Sequence, residues 1–262
     1  MPYRIDISNP NPGALDILIE LGALDLAPTD GGMAAIMPDG VTPEIVGRAL
    51  GAAVSVSAAM DRDEGSVWIL TPRSIRIGTV VISSPEAAPG PNVIRLRDTN
   101  AFGTGHHPTT ALCIEAVEEI LMGDRVESVL DVGTGSGILS LAALTLGVPR
   151  ALGLDIDPHA LEVAEENARI NHLENHLQLI LGGPEAVTGT WPLVVANVLA
   201  APLIEMAPLL VRRIQGRGRL ILSGIPSSLE PEVRNAYQHF GMRRIESQTR
   251  AGWTALVLQA SW

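Results

Sequence analysis

A chain of 262 residues, 46 % of them hydrophobic, is long enough for one large domain, or for one ordinary domain and a small one, with a substantial core. Its formal charge of −11 opposes nucleic-acid binding through phosphates, which takes a basic face, and suits a basic protein partner or a small molecule. A single cysteine, Cys113, excludes a disulfide framework and a multi-cysteine metal site; with no membrane-length apolar run and no signal-peptide pattern in MPYRIDISNP, a cytoplasmic protein without membrane contact is expected.

The first 60 residues alternate between strand and helix patterns: YRIDIS, an apolar helical run from Leu15 to Leu26, GGMAAIMP, the helical TPEIVGRAL and VSVSAAM. This order predicts a small α+β unit of ferredoxin-like type. Residues 61–92 begin charged, end rich in Pro, Ala and Gly, and carry one or two strands, which reads as a structured linker. From residue 93 onward the rhythm is that of a parallel sheet covered on both faces, with apolar strands in SVLDVG, ALGLDID, LQLILGG, PLVVANV and GRLILSGI separated by helical stretches. The last two strands, MRRIESQT and WTALVLQA, are separated only by Arg250, Ala251 and Gly252, too few residues for a crossover, so they must form an antiparallel hairpin. A doubly wound, mostly parallel seven-stranded sheet closed by such a hairpin is the class I methyltransferase architecture; dinucleotide dehydrogenases lack the hairpin.

Two glycine loops, AFGTGHHPTT at 101–110 and VLDVGTGSGIL at 129–139, flank one helical segment and describe a nucleotide-type pocket. In the second loop Gly133, Gly135 and Gly137 allow a tight turn and a close ligand approach to backbone N–H groups. Ile138 stands where a dinucleotide fingerprint has its third glycine. Asp131 just before the turn repels a pyrophosphate and suits a ligand bearing an ammonium, as S-adenosylmethionine does; the competing reading is that Asp131 caps the following helix. Asp155, at the end of the second strand and 22 residues past Gly133, is placed to accept both ribose hydroxyls, while Asp157 before Pro158 reads as a helix N-cap. Asn197 closes the fourth strand and either accepts from an incoming amine or caps the next helix. Phe102 could pack on the ligand or in the core, and of Thr109 and Thr110 one is expected to cap the helix and the other to meet the ligand. His106 and His107 are adjacent in a loop with no third ligand nearby, so no metal is expected.

Taken together, AFGTGHHPTT, LDVGTGSGIL, GLDIDPHALEVAEENARIN, VVANVLAAPLIEMAPLL and LILSGI resemble, in order and spacing from Ala101 to Gly224, the PrmA family, methyltransferases that act on large-subunit ribosomal protein eleven. The resemblance implies S-adenosylmethionine as cofactor, with Thr110, Gly133, Asp155 and Asn197 as contacts beside Asp131, Gly135 and Phe102. It further implies N-methylation of lysine or N-terminal amines of that basic ribosomal protein, with Asn197 orienting the amine, and it makes 1–60 the substrate-recognition domain, 61–92 the linker and 93–262 the catalytic domain. The chain departs from the pattern at Thr99-Asn100, across residues 1–92, and at Gly182-Gly183-Pro184-Glu185, where many methyltransferases place an acid for the adenine amine and where Pro184 has no N–H to donate. Methylation of a non-ribosomal protein or of a small-molecule amine, nucleic-acid methylation, which the charge opposes, and non-catalytic binding of S-adenosylmethionine are the alternatives. All 18 basic residues are arginine, which reads as compositional bias; the functional alternative is an enzyme that avoids modifying its own lysines.

Overall fold

The computed structural model describes residues 3–8, 10–29, 32–58, 74–85, 87–97 and 107–262. They fall into two compact units, Met1–Arg73 and Ser74–Trp262. Among the described residues no helix is long and apolar enough to cross a membrane.

The first unit runs β1 (Tyr3–Ser8), α1 (Ala14–Glu20), β2 (Asp25–Thr29), β3 (Gly32–Met37), α2 (Pro43–Leu50), β4 (Ser55–Ala58). Its sheet has the order β2-β3-β1-β4 with every neighbour antiparallel, the ferredoxin-like arrangement expected. Alternation in β1 buries Ile5 and Ile7 in one cluster with Leu18 of α1 and Val46 and Leu50 of α2. The helical run expected to reach Leu26 stops earlier. Gly22 takes φ 78°, its N–H bonds the Ile19 carbonyl at 2.9 Å and the Ala23 N–H bonds that of Leu18 at 2.9 Å, a left-handed helix stop that releases the chain into β2.

The second unit opens with a three-stranded sheet, β5 (Ile75–Ile77), β6 (Val80–Ser83) and β7 (Val93–Arg95), followed by α3 (Pro108–Gly123). Then come β8 (Val129–Val132), α4 (Ile138–Thr145), β9 (Ala151–Asp155), α5 (Pro158–Ile170), β10 (Leu177–Leu181), β11 (Trp191–Asn197), α6 (Ala200–Val211), β12 (Ile214–Pro226), α7 (Glu230–Gln238), β13 (Met242–Arg250) and β14 (Trp253–Ala260). These build one seven-stranded sheet in the order β10-β9-β8-β11-β12-β14-β13. The first five are mutually parallel; β14 runs antiparallel to both β12 and β13. Arg250 pairs with Trp253, leaving a two-residue turn of Ala251 and Gly252 at φ 49° and 80°, the left-handed pair that a tight hairpin needs.

The strands are apolar on both faces because each face has its own core. Val129, Ala151, Leu193 and Val195 pack with α3, α4 and the small sheet, while Leu130, Val132, Leu154, Val194 and Ala196 pack with α6 and α7. Side chains alternate along a strand, so Asp131, Asp155 and Asn197 all project to the α3 and α4 side, at or near the carboxyl ends of three neighbouring strands. Cys113 of α3 is fully buried there, and burial pushes its thiol well above the ordinary range.

Candidate active site

The glycine loop is held by its own neighbours. The N–H groups of Gly133 and Thr134 both donate to the Leu154 carbonyl of β9, at 2.8 and 2.9 Å, and Gly137 N–H closes a turn on Thr134 at 2.8 Å. Gly135 N–H donates to Asp155 Oδ2 at 2.9 Å. These donors are therefore taken up by the protein, and the glycines serve by conformation and bareness. Gly133, Gly135 and Gly137 have φ of 75°, 55° and 80°, and a Cβ on Gly133 would lie 2.5 Å from Val198 Cγ1.

Asp131 is completely buried beneath this loop. Its Oδ2 accepts from Thr134 Oγ1 at 2.7 Å, Ser140 Oγ at 2.8 Å and Ser140 N–H at 3.1 Å. The last donor belongs to the first turn of α4, so the capping reading describes one oxygen correctly. Oδ1 has no hydrogen-bond partner among the described residues. Burial, opposed by the Thr134 and Ser140 hydrogen bonds, raises the carboxyl above its ordinary range.

Asp155 closes β9, and its Oδ1 accepts from Asp157 N–H at 3.0 Å. Asp157 is the N-cap of α5, its carboxylate accepting from His159 N–H at 2.9 Å with Pro158 next in the chain. Asn197 ends β11, where Ala196 pairs with Val132, so it stands level with Gly133. It does not cap the next helix. Its Nδ2 instead approaches Thr110 Oγ1 of α3 at 3.4 Å, both residues being buried, and its Oδ1 has no partner among the described residues. The structure thus brings Thr110, Gly133 and Asn197 together on one side of the loop and Gly135 and Asp155 on the other. Phe102 and His106 lie outside the described residues.

Neither threonine caps α3. His107 does: its Nδ1 accepts from the Thr109 N–H at 3.4 Å and lies 2.7 Å from Thr109 Oγ1, while its ring meets Trp253 edge-on at 4.9 Å. Among the described residues no group of His, Cys, Asp or Glu is placed to hold a metal ion.

Several contributors escaped the sequence reading. Asn167, fully buried on α5, donates to the Ser136 carbonyl of the glycine loop at 2.9 Å and accepts from Arg97 N–H at 2.8 Å. Asn171, one turn later, accepts from Arg95 N–H at 2.8 Å and donates back to its carbonyl at 2.7 Å. Two asparagines four apart on one helix face were the available signal, in ENARIN. Beside Asp155 and Asn197 stand two apolar side chains left open to solvent, Ile156 at 81 % and Leu199 at 66 % exposure.

The fit to a sulfonium cofactor rests on atoms present here. Of the four buried side-chain polar atoms without a partner among the described residues, two are Asp131 Oδ1 and Asn197 Oδ1, both acceptors and both at this site. Beside them lie a loop kept bare by glycine and, at the next strand end, an acid suited to a ribose. A sheet of this order carrying these groups at its carboxyl edge defines a class I methyltransferase, and its cofactor is S-adenosylmethionine. Comparison narrows the class. The family model described as Ribosomal protein L11 methyltransferase (PrmA) matches residues 49–261, well beyond the motif-bearing stretch, and the chain belongs to that family. Proteins named ribosomal protein L11 methyltransferase include one from Pelobacter propionicus, 39 % identical over 77 % of this chain and 68 % of its own length. Another, from Myxococcus xanthus, is 31 % identical over 98 % of this chain and 86 % of its own, so likeness extends into the divergent first residues. The crystal structure of a ribosomal protein L11 methylase from Lactobacillus delbrueckii subsp. bulgaricus superposes with a TM-score of 0.66 at 30 % identity, covering 72 % of this chain and 99 % of that one.

Proposed function

We propose that this methyltransferase acts on ribosomal protein L11 and transfers methyl groups to its amino nitrogens, on lysine side chains or the N-terminus. Family membership over residues 49–261 supports the substrate, and the buried Asn197 Oδ1 at the crevice, without a partner among the described residues, is the observation that carries the amine chemistry. The charge of −11 suits a basic protein partner rather than nucleic acid. We assign substrate recognition to residues 1–60, a linking role to 61–92 and catalysis to 93–262, and place the reaction in the cytoplasm.

In this reading Asp155 holds the ribose, Gly133 and Gly135 leave room for the cofactor against the loop, and Thr110 and Asp131 face its amino-acid end, with Phe102 assigned to the same site from its motif. The bound cofactor supplies an electrophilic methyl on a positively charged sulfur. Asp155 and the glycine loop would hold that cofactor, which would supply the methyl to the amine nitrogen and depart demethylated, the amine giving up a proton to solvent, while the residues here supply proximity and alignment. The amine must be neutral first. At pH 7 that costs roughly 4–5 kcal/mol for a lysine and about 1–1.5 kcal/mol for an α-amine. Desolvation beside the apolar Leu199 lowers the requirement, and Asn197 Oδ1, accepting one N–H, turns the lone pair toward the methyl. Radiolabelled S-adenosylmethionine supplied with purified ribosomal proteins, total cell protein and a metabolite extract tests the assignment. Label is expected in L11, on peptides carrying lysine or the N-terminus; label confined to another protein or to a metabolite would refute it.

A further inference from the structure

β7 is an edge strand of the small sheet, paired among the described residues with β6 alone. The N–H groups at its end face alternately two ways. Leu96, just past the strand, donates to the Ser83 carbonyl at 2.9 Å, whereas Arg95 and Arg97 donate to the side-chain oxygens of Asn171 and Asn167 on α5, each at 2.8 Å. Two strand residues advance about 6.6 Å and four helical residues about 6 Å, so asparagines one turn apart meet successive outward N–H groups and cover the edge as a further strand would.

The two amide nitrogens then part. Asn171 Nδ2 returns to the Arg95 carbonyl at 2.7 Å and to the Asn167 carbonyl of its own helix at 2.7 Å, which closes a local clamp. Asn167 Nδ2 turns instead to the glycine loop and donates to the Ser136 carbonyl at 2.9 Å, both residues being buried. Ser136 lies between Gly135 and Gly137, whose left-handed φ values are 55° and 80°, and the Gly135 N–H is the donor that holds Asp155 Oδ2 at 2.9 Å. One turn earlier on α5 the loop is seated a second time, where a Cβ on Gly137 would lie 3.1 Å from Ala164 Cβ. We propose that Asn167 is a positioning residue for the cofactor: by holding the Ser136 carbonyl it fixes the turn of the loop, and through the Gly135 N–H the carboxylate of Asp155, whereas Asn171 only seats the strand. The inference rests on the assignment of Asp155 to the ribose.

Asn167→Leu and Asn171→Leu, each close in shape to the asparagine replaced, separate positioning from support. Both are expected to melt several degrees below the unaltered protein, because each removes the partner of one N–H and one carbonyl. Calorimetry on the full chain with S-adenosylhomocysteine is expected to give about tenfold weaker binding for Asn167→Leu and binding within about twofold of the unaltered protein for Asn171→Leu. With ribosomal protein L11 as acceptor, the KM for S-adenosylmethionine should rise by about tenfold in Asn167→Leu while kcat falls by less than about threefold. Asn167→Ser, smaller and too short to reach Ser136, is expected to weaken binding in the same direction and decides the matter should the leucine variant not fold. If the two leucine variants lose affinity alike, or if Asn167→Leu or, in its place, Asn167→Ser binds as the unaltered protein does, while Asp155→Ala loses binding, the inference is overturned and the ribose assignment stands. If Asp155→Ala binds S-adenosylhomocysteine as the unaltered protein does, the assignment beneath it falls, and the inference with it.

Discussion

Asn197→Leu separates what the active site does for turnover from what it does for stability. Asn197 is 8 % exposed, its Oδ1 is buried without a partner among the described residues, and its Nδ2 reaches Thr110 Oγ1 only at 3.4 Å. A buried acceptor left unpaired costs roughly 1–3 kcal/mol, and the hydrogen bond lost by substitution is worth roughly 0.5–1.5 kcal/mol at ordinary length, less at this one. Leucine has nearly the same branched shape, so no cavity opens. The midpoints give a net stabilisation of about 1 kcal/mol for the ligand-free protein, which in a chain of this size raises Tm by about 2–4 °C. Function should move the other way, because the group removed is the one assigned to the reacting amine. Turnover is expected to fall by about 100-fold or more, from losing the acceptor that turns the amine toward the methyl, while affinity for S-adenosylhomocysteine changes little. Thermal unfolding, calorimetry and a filter-binding methylation assay on the same preparation suffice. A variant that melts lower than the parent yet binds and turns over normally would refute the reasoning, since it would show the asparagine to be structural.

Asp155→Ala removes the ribose acceptor and the two hydrogen bonds that Asp155 Oδ2 and Oδ1 accept from Gly135 and Asp157; S-adenosylhomocysteine affinity should drop by about 100-fold or more in calorimetry, and an unchanged affinity would defeat the assignment. Gly133→Ala places a β-carbon 2.5 Å from Val198 Cγ1 at a φ of 75°, combining roughly 1–2 kcal/mol of left-handed strain with about 1–3 kcal/mol of overpacking. Urea unfolding should show that loss, and an unmoved midpoint would mean that the loop is softer than the structure shows. Asp131 carries the pH signature. Its carboxyl is raised in the fold, chiefly by burial, so between its unfolded value near 3.9 and its folded one the native state holds more protons than the unfolded chain. Stability attributable to Asp131 therefore falls as pH rises through that window and stays reduced above it; Asp131→Asn should lack this slope and bind S-adenosylhomocysteine more weakly, and parallel stability profiles for the two proteins would contradict the burial argument.

What could be read before the structure follows from periodicity. Apolar strands with single polar residues at their ends mark Asp131, Asp155 and Asn197, and the two-residue alternation that makes those strands legible also puts all three on one face. Pro158 settles Asp157 as a cap because proline belongs at the first helical position. Contacts between distant segments were not legible. Thr110 and Asn197 are 87 positions apart, and Asn167 reaches Arg97, just past β7, across 70. Nothing local encodes such pairings, which is also why a histidine supported by Trp253 from the hairpin takes the α3 cap that local chemistry would hand to a threonine. In the first unit, Gly22 ends α1 six residues before the expected limit even though the apolar pattern continues, a case of backbone conformation prevailing over hydrophobic spacing.

The balance of donors and acceptors at the loop explains why three close glycines here serve a sulfonium cofactor. A pyrophosphate site works by presenting free N–H groups to an anion. In this loop Gly133, Thr134, Gly135 and Gly137 have all given their N–H groups to protein oxygens, one of them to the carboxylate of Asp155. Among the described residues the buried side-chain atoms left unpaired here are oxygens, Asp131 Oδ1 and Asn197 Oδ1, on the face shared by their neighbouring strands. A phosphate would meet few donors and a buried carboxylate, whereas a ligand with an ammonium beside a positively charged sulfur meets complementary acceptors. The substitution of Ile138 for a third glycine removes one mark of a dinucleotide site; the occupied N–H groups and the unpaired oxygens give the physical reason that such a ligand is disfavoured here.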